Sequence, residues 1–265
     1  MNTKNFIIKT INDSNKFEKI LEKCTSLLFN NEKAEESLNY IKNRFSNSLI
    51  KNKQFGFFPS SADLDLLSEY EDELLELRLI FKNTNVNHFN TNPLISHYHY
   101  HNLIFPIKDN FGYIVGFCGR TFLTEEERKE KQIDKYKYNF FTKTHVLYGL
   151  EIAKQAILHK NSVFVVEGQL DCMIMHHFGI YNCVALGGLS FHPYQLYLLR
   201  KYGGPNLEIN LLFDNDSKGK DAALKYKSQY GNLANIKIIN FPDLSIKDVD
   251  EHYKKHKNLN FLLAR

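Results

Sequence analysis

Carboxylate side chains follow short apolar runs at several points in the C-terminal half of the chain. Glu167 follows the run 163–166, and Asp214 follows the run 208–213. Carboxylates gathered in one place repel one another unless a cation lies between them, and Mg²⁺ takes such oxygen ligands together with substrate phosphates. Two such ions can clamp the attacking and leaving oxygens of a phosphoryl transfer. The sequence therefore predicts a metal site that handles phosphates, drawn from Glu167, Asp171, Asp214, Asp216, Asp243, Asp248, Asp250 and Glu251.

The spacing of Asp214 and Asp216 favours a shared site. If the strand stays extended through them, residues two apart project to the same face. Acidic residues that follow strands also cap helices, and for an isolated pair of aspartates that alternative is favoured. The upstream Glu167 and the downstream acids favour the metal site instead. Two consecutive glycines, Gly187 and Gly188, allow a ligand or backbone to come close because they carry no side chain.

The acids need a scaffold that brings them together. From residue 162 onward, apolar runs of strand length alternate with patterns of helical spacing. This alternation predicts an α/β fold with a four-stranded, mainly parallel sheet covered by helices on both faces. Ligands bind such sheets at the carboxyl ends of the strands, where the acids stand. The predicted strands are 163–166, 183–186, 208–213 and 236–241, and the predicted helices are 170–178, 192–201, 218–230 and 248–255.

The N-terminal half shows a mixed pattern of helices and strands. The apolar runs 103–107 and 113–117 flank turn-forming residues and predict a β-hairpin. The charge-rich stretch 124–138 predicts an exposed loop. Helical spacing of apolar residues predicts helices over 12–45, with the second of two starting at 32, over 64–81 and over 147–158.

Histidine and tyrosine alternate between His97 and His101. In a strand the three histidines of this run would share one face. A transition-metal site is one interpretation, but no carboxylate lies close by in the sequence. We therefore favour an exposed edge strand.

Two of the acidic segments resemble motifs of the Toprim domain, which DnaG primases, topoisomerases and some nucleases share. These segments are 167–171 and 213–223. The resemblance implies that Glu167, Asp214 and Asp216 are catalytic, with Glu167 a general acid or base that also binds metal. It also implies a wider metal-binding set and residues that support it. The implied metal ligands are Glu167, Asp214, Asp216, Asp248 and Asp250, and the supporting residues are Gly168, Asp171, Gly187 and Gly219.

The N-terminal half narrows this resemblance to one family. The segments 105–120 and 143–150 resemble the stretch that precedes Toprim in bacterial DnaG-type primases, and Phe55-Gly56-Phe57 resembles a short Gly-Phe segment of that family. Topoisomerases and nucleases lack these segments. The resemblance implies an N-terminal helical segment over 1–50, a mixed α+β primase subdomain over 51–158 and a Toprim domain over 160–258. It further implies nucleotide or template contacts at Lys108, Arg120, Lys135 and Lys143.

The implied activity is the template-directed synthesis of short RNA primers on single-stranded DNA, by metal-dependent nucleotidyl transfer from ribonucleoside triphosphates. Mg²⁺ is the implied cofactor and Mn²⁺ its possible substitute. Two alternatives stay open: a Toprim nuclease with the same metal chemistry, and a catalytically inactive primase-like subunit that binds DNA. Asn102 keeps the second alternative open, because the family usually has an arginine there.

Composition adds modest constraints. The net charge of +4 is compatible with nucleic-acid binding but does not argue for it. The four cysteines are dispersed without a CxxC pair, so we expect no zinc site. We expect no signal peptide, no membrane partner and a cytoplasmic location, in the host if the source is viral. The family's zinc-binding and helicase-binding domains have no counterpart in this sequence, which predicts a replicative helicase or a separate zinc-bearing module as partner.

Overall fold

The structure, a computed structural model, describes residues 3–45, 55–84 and 92–263 of the chain. The chain divides into two units, each with its own core. The N-terminal unit comprises 1–107 and 113–141, and the C-terminal unit comprises 108–112 and 142–265. Within the described residues, no helix is long and apolar enough to cross a membrane.

The N-terminal unit combines helices with a four-stranded sheet and a two-stranded hairpin. The sheet has the order β1-β4-β5-β6, and β2 pairs with β3 in the hairpin. Its helices are α1 (Thr3–Asn30), α2 (Glu35–Lys42), α3 (Glu71–Glu76) and α4 (Glu125–Lys131), with 3₁₀ turns at Glu32–Ala34 and Ser61–Tyr70. Its strands are β1 (Gly56–Phe57), β2 (Ile80–Lys82), β3 (Leu94–Ser96), β4 (Leu103–Lys108), β5 (Ile114–Arg120) and β6 (Tyr136–Tyr138).

Helix α1 packs its apolar face on β1 and β5. Phe17 lies against Phe117 of β5 with ring centroids 5.1 Å apart. Gly56 of β1 lies so close to α1 that a Cβ there would stand 2.7 Å from the Cβ of Cys24. The Gly-Phe segment therefore needs its glycine for close packing of helix on strand. The predicted helices over 12–45 and the hairpin of β4 and β5 are confirmed.

The helix predicted over 64–81 is α-helical only in α3, because the 3₁₀ turn Ser61–Tyr70 precedes it and β2 follows it. Arg78 has a φ of 57°, a left-handed conformation that stops α3, and the chain continues into β2. The stretch 124–138, predicted as a loop, holds α4 and β6. A capping box starts α4, since Thr124 accepts a hydrogen bond from the Glu127 N–H and the Glu127 carboxylate accepts one in return. The many charged residues of this stretch led to the prediction of a loop, although its capping-box residues indicate the start of a helix.

The histidine run is a turn and not an edge strand, and His97, Tyr98 and His101 are buried, whereas Tyr100 is exposed. Tyr98 is fully buried, and its hydroxyl donates to the Phe117 carbonyl at 2.9 Å. His97 Nε2 lies 3.0 Å from the Tyr138 carbonyl, and His101 Nε2 lies 2.8 Å from the Asp134 carbonyl. The imidazoles therefore satisfy backbone carbonyls of the segment that contains β6.

The C-terminal unit contains the predicted α/β fold. Its four strands form a sheet in the order β10-β9-β7-β8, with every pair parallel. Strands buried on both sides pack against the surrounding helices, as their apolar sequences predict. The strands are β7 (Ser162–Val166), β8 (Cys183–Ala185), β9 (Glu208–Leu211) and β10 (Asn235–Ile238). The helices are α5 (Leu150–Lys160), α6 (Gln169–His177), α7 (Pro193–Gly203), α8 (Ser217–Tyr230), α9 (Val249–His256) and α10 (Asn260–Leu263), with a 3₁₀ turn at Lys143–His145.

Candidate active site

The carboxyl ends of β7 and β9 bring Glu167 and Asp214 together. These strands are parallel neighbours, so the residues that follow them meet at one edge of the sheet. The Glu167 Oε1 atom accepts a hydrogen bond from the Asp214 N–H at 2.9 Å. On the other side, the N–H groups of Gly187 and Gly188 donate to the Glu167 carbonyl at 2.9 and 3.0 Å. Both glycines have positive φ values, of 73° and 143°, which residues with a side chain rarely adopt. This explains why glycine occupies both positions after β8.

Asp214 and Asp216 lie near each other for a different reason from the predicted one. Strand β9 ends at Leu211, so the two aspartates do not alternate along a strand. Asp216 instead caps α8, where its Oδ1 accepts the Gly219 N–H at 2.9 Å. The ammonium group of Lys247 joins them, since its Nζ lies 3.6 Å from Asp214 Oδ2 and 3.9 Å from Asp216 Oδ2. Asp216 is therefore both a helix cap and part of the acidic cluster.

Two glycines allow the acids to approach the backbone. A Cβ at Gly219 would lie 2.2 Å from the Asp214 carbonyl oxygen and 2.9 Å from Glu167 Oε1. A Cβ at Gly168 would lie 2.6 Å from Asp171 Oδ2. Any larger residue would displace a carboxylate or the end of β9. The supporting positions predicted from the sequence thus have a steric explanation.

The third acidic segment lies at the start of α9. Asp248 caps this helix by accepting the Glu251 N–H at 2.8 Å. Asp171 of α6, which is 9% exposed, accepts the Asp250 N–H at 3.2 Å. The Asp250 carboxylate is also paired with Lys254 at 2.5 Å. A metal ion that used Asp250 would have to compete with that ion pair.

The pKa values of these acids reflect their burial and their closeness to one another. Burial, and then the charge of Asp214, raises the pKa of Glu167 to about 7. Burial, and then the charge of Asp248, raises the pKa of Asp214 to about 6. The pKa of Asp171 is raised by burial, with Asp248 and Asp214 adding to it. Burial would lower the pKa of Lys247, but Asp214 and Asp216 raise it above its ordinary value. The Lys247 ammonium therefore offsets only part of the negative charge of these acids.

The donor set fits a hard divalent cation. Across the described residues, no three His, Cys, Asp or Glu side chains already surround one point at which a metal ion could bind. However, the Lys247 ammonium already places a positive charge beside Asp214 and Asp216. The available donors are carboxylate oxygens, the ligands that Mg²⁺ takes. Asp214 and Asp216 would therefore be the carboxylates that hold such an ion.

Among the predicted basic residues, the structure brings Lys143 to this edge. Its ammonium donates a hydrogen bond to the Gly187 carbonyl. Lys108 lies in the same unit near Glu151, a carboxylate whose pKa is raised by burial and lowered in part by Lys108. Sequence reasoning overlooked Lys247, although its position directly before Asp248 was a signal.

Arg120 and Lys135 belong to the N-terminal unit, where aromatic rings surround them. The Arg120 guanidinium lies 4.3 Å from the Tyr40 ring centroid, and its Nη1 donates to the Tyr136 hydroxyl at 2.9 Å. The Lys135 ammonium lies 5.7 Å from the Tyr136 ring centroid. In the same unit, the Asn102 side chain donates to the Phe58 carbonyl at 2.9 Å. The residue that departs from the family pattern thus supports the backbone next to β1.

Both halves of the chain match known protein families. Residues 24–154 match the family "DNA primase catalytic core, N-terminal domain", and residues 164–253 match the family "Toprim-like". The DNA primase of Helicobacter pylori strain 26695 is 33% identical over 213 residues, which are 78% of this chain and 35% of that protein. The chain spans about a third of the length of the curated relatives it matches.

Solved structures share the fold. The RNA polymerase domain of Mycobacterium tuberculosis primase DnaG superposes with a TM-score of 0.77 at 23% identity, covering 96% of this chain and 83% of that one. A DnaG primase catalytic domain bound to single-stranded DNA superposes with a TM-score of 0.72 at 22% identity, covering 96% and 77%. The similarity thus extends over both units.

Proposed function

The chain belongs to the bacterial DnaG-type DNA primase family, as its catalytic core, and we propose that it synthesises short RNA primers on single-stranded DNA. The reaction joins ribonucleotides by attack of a 3′-hydroxyl on the α-phosphate of the next triphosphate, which releases pyrophosphate. One observation carries the proposal: acidic residues from three segments converge at the carboxyl edge of a parallel sheet, in a chain whose other half matches the primase N-terminal domain.

Asp214, Asp216 and Asp248 would hold the metal, with Glu167 beside them and Asp250 available once Lys254 releases it. Mg²⁺, or Mn²⁺ in its place, supplies positive charge that neutralises the triphosphate and lowers the pKa of the 3′-hydroxyl. Asp171 accepts the Asp250 N–H and so positions the start of α9. The supporting glycines Gly168, Gly187 and Gly219 keep room for these contacts.

Glu167 is suited to move the proton of the attacking hydroxyl. Burial and the charge of Asp214 raise its pKa to about 7 in the metal-free protein, and a general base is most effective when its pKa lies near the working pH. Its Oε1 already accepts the Asp214 N–H, so Oε2 takes the proton. Lys143, which contacts the glycine loop after β8, would bind a phosphate group of the nucleotide by charge.

The template and the partners follow from the family. A related catalytic domain binds single-stranded DNA, and we propose the same partner here, with ribonucleoside triphosphates as substrates. Arg120 and Lys135 of the N-terminal unit and Lys108 of the C-terminal unit would contact template or nucleotide phosphates. We also propose a replicative helicase or a zinc-bearing module as a protein partner, and the cytoplasm as the site of action.

Primer synthesis on mixed-sequence single-stranded DNA, with ribonucleotides and Mg²⁺ or Mn²⁺, tests the proposal. The double variant Asp214→Asn/Asp216→Asn keeps the helix cap, because asparagine also caps helices. We expect it to lose RNA synthesis by about 100-fold or more. The matched control is Asp243→Asn, an acid of the same unit whose oxygens already bind Ser245 and Lys255.

Each outcome of this assay decides between the candidate functions. Short RNA products that disappear only in the Asp214→Asn/Asp216→Asn variant support the primase. Equal synthesis by that variant and the wild type would overturn the proposed site. Degraded template would indicate the Toprim nuclease, and bound DNA without products would indicate an inactive DNA-binding subunit.

A further inference from the structure

Helix α7 presents to solvent a face of aromatic and basic side chains. Tyr194 is 42% exposed and Tyr197 is 55% exposed, and Arg200 and Lys201 are exposed beyond them. Residues three apart on a helix are neighbours, so Tyr194, Tyr197 and Arg200 form one line. The helix contains no acidic residue, and its leucines face the core of the unit. Such a face has no part in the packing of the sheet.

The line continues beyond both ends of the helix. The ring of His145 lies 4.5 Å from that of Tyr194, which lies 5.6 Å from that of Tyr197. At the other end, the Lys201 ammonium lies 6.0 Å from the ring centroid of Phe111, which is 69% exposed. We call these four rings and their basic neighbours Arg200 and Lys201 the aromatic row. All of them belong to the C-terminal unit.

The aromatic row starts at the acidic edge of the sheet. His145 ends the 3₁₀ turn that begins with Lys143, and the Lys143 ammonium donates to the Gly187 carbonyl. The N–H of Gly187 in turn donates to the Glu167 carbonyl. From Tyr194 to Lys201 the helix advances about 10 Å, at 1.5 Å per residue. The row therefore leads away from the candidate active site over a distance of two or three nucleotides.

A concave niche of about 430 Å³ opens beside the row. Tyr197, Arg200, Pro205 and the 53% exposed Leu233 line it. This volume is within the range of sites that bind small molecules, and it is large enough for a nucleobase. An exposed apolar wall next to a guanidinium offers stacking and a phosphate contact at once.

We propose that the aromatic row binds single-stranded DNA, with two or three bases stacked on its rings and their phosphates paired with Arg200 and Lys201. Proteins that bind single strands without sequence preference combine exposed aromatic rings with cations in this way. Tyrosine and arginine also occur at protein interfaces, but the absence of acidic residues from α7 and the continuity with Lys143 favour a polyanion. That the bound strand is the template rests on the proposed primase function, whereas the binding itself does not.

Binding of a fluorescein-labelled, mixed-sequence 20-nucleotide DNA strand, followed by anisotropy without divalent metal, tests the row. We expect Tyr194→Ala/Tyr197→Ala to weaken binding about tenfold or more, because each lost stacking contact costs affinity. Tyr194→Phe/Tyr197→Phe should restore it, since the ring and not the hydroxyl stacks on the base. Tyr181→Ala is the matched control, an equally exposed tyrosine of the same unit outside the row. Unchanged binding by the double alanine variant would overturn the proposal.

Two further measurements separate this proposal from the primase function. Arg200→Gln/Lys201→Gln should lower the slope of log Kd against log salt concentration by about 1.4, as expected for two lost phosphate contacts on a single strand. In primer synthesis, the double alanine variant should need more template for half-maximal rate, with the rate at saturating template within about threefold of wild type. Asp214→Asn/Asp216→Asn should lose synthesis and still bind the strand. A row that bound a protein instead would leave the template requirement and the salt slope unchanged, which contradicts the proposal.

Discussion

Lys247 is the residue whose charge most directly opposes the repulsion among the acids. Its ammonium lies within 4 Å of both Asp214 and Asp216, and the two carboxylates raise its pKa in return. It also lowers the pKa of Glu167. An exposed lysine on a flexible stem can leave such a position when a divalent ion arrives. We therefore infer that Lys247 and the metal compete for the same carboxylates.

Replacement of Lys247 by glutamine tests this competition. Without metal, Lys247→Gln should lower the Tm, because the acids lose their neighbouring positive charge. With saturating Mg²⁺, the Tm should rise by more than it does in the wild type, since the ion no longer displaces an ammonium. Thermal melting with and without Mg²⁺ measures both effects. Lys255→Gln, which breaks the pair with Asp243, is the control and should leave the Mg²⁺-induced shift as it is. An unchanged shift in Lys247→Gln would contradict the competition.

At the scale of single elements, the start of α8 is fixed by contacts with the end of β9. Asp216 caps the helix, and Gly219 lies against the Asp214 carbonyl. Substitution of Gly219 by alanine would place a Cβ 2.2 Å from that oxygen, so the helix or the strand end must move. We expect Gly219→Ala to destabilise the fold by roughly 1–3 kcal/mol, as overpacking does, and to impair primer synthesis.

Urea unfolding and primer synthesis together measure the effect of Gly219→Ala. Lys220→Ala is the matched control on the same turn of α8, where the side chain is exposed. It should change the free energy of unfolding by no more than about 0.5 kcal/mol. Wild-type stability in Gly219→Ala would show that the close approach to Asp214 is not required.

The turn at residues 97–101 makes the stability of the N-terminal unit depend on pH. The pKa of His97 is lowered to about 4, mainly by burial, with smaller contributions from Lys137 and His101 and an opposing effect of the hydrogen bond to the Tyr138 carbonyl. Below the ordinary value of 6.5 the unfolded chain takes up a proton that the folded state excludes. Stability from this residue is therefore present above pH 6.5 and decreases towards pH 4, by up to roughly 3 kcal/mol.

Urea unfolding between pH 7.5 and 4.5 measures this dependence. We expect stability to fall with pH in the wild type and to fall less steeply in His97→Gln, whose amide can still donate to the Tyr138 carbonyl. His159→Gln, at an exposed position near the end of α5, should keep the wild-type slope. Equal slopes in all three proteins would rule out His97 as the cause.

The strands and helices of the C-terminal unit were predictable because the apolar residues of each segment follow one clear pattern. They form a continuous run in a strand and recur at helical spacing in a helix. Alternating apolar runs and helical patterns indicated the parallel sheet, and ligands of such sheets bind at a known edge. The histidine run was misread because an alternating pattern of period two also occurs in a turn, here one whose histidines form tertiary hydrogen bonds to the carbonyls of Tyr138 and Asp134. Lys247 was overlooked because its partners, Asp214 and Asp216, lie more than 30 positions earlier in the sequence.

At the scale of the whole molecule, the two units differ in the charge of the site residues that each contains. The acids of the candidate site all lie in the C-terminal unit, and so does the aromatic row. Arg120 and Lys135 lie in the N-terminal unit, where their charged groups lie close to aromatic rings. A divalent ion should therefore act on the C-terminal unit, whereas the phosphate contacts proposed above lie on both units.

Hydrogen exchange followed by mass spectrometry tests this division of roles. A metal that binds the folded acids stabilises the segments that carry them and slows exchange of their amides. We expect Mg²⁺ to slow exchange about threefold or more in segments 165–171, 213–219 and 246–253, with no change in α1 or in β1 to β6. The Asp214→Asn/Asp216→Asn variant should show no such protection. Protection that appeared instead around the histidines at 97–101 would place the metal in the N-terminal unit, and the acidic edge would then have to act without it.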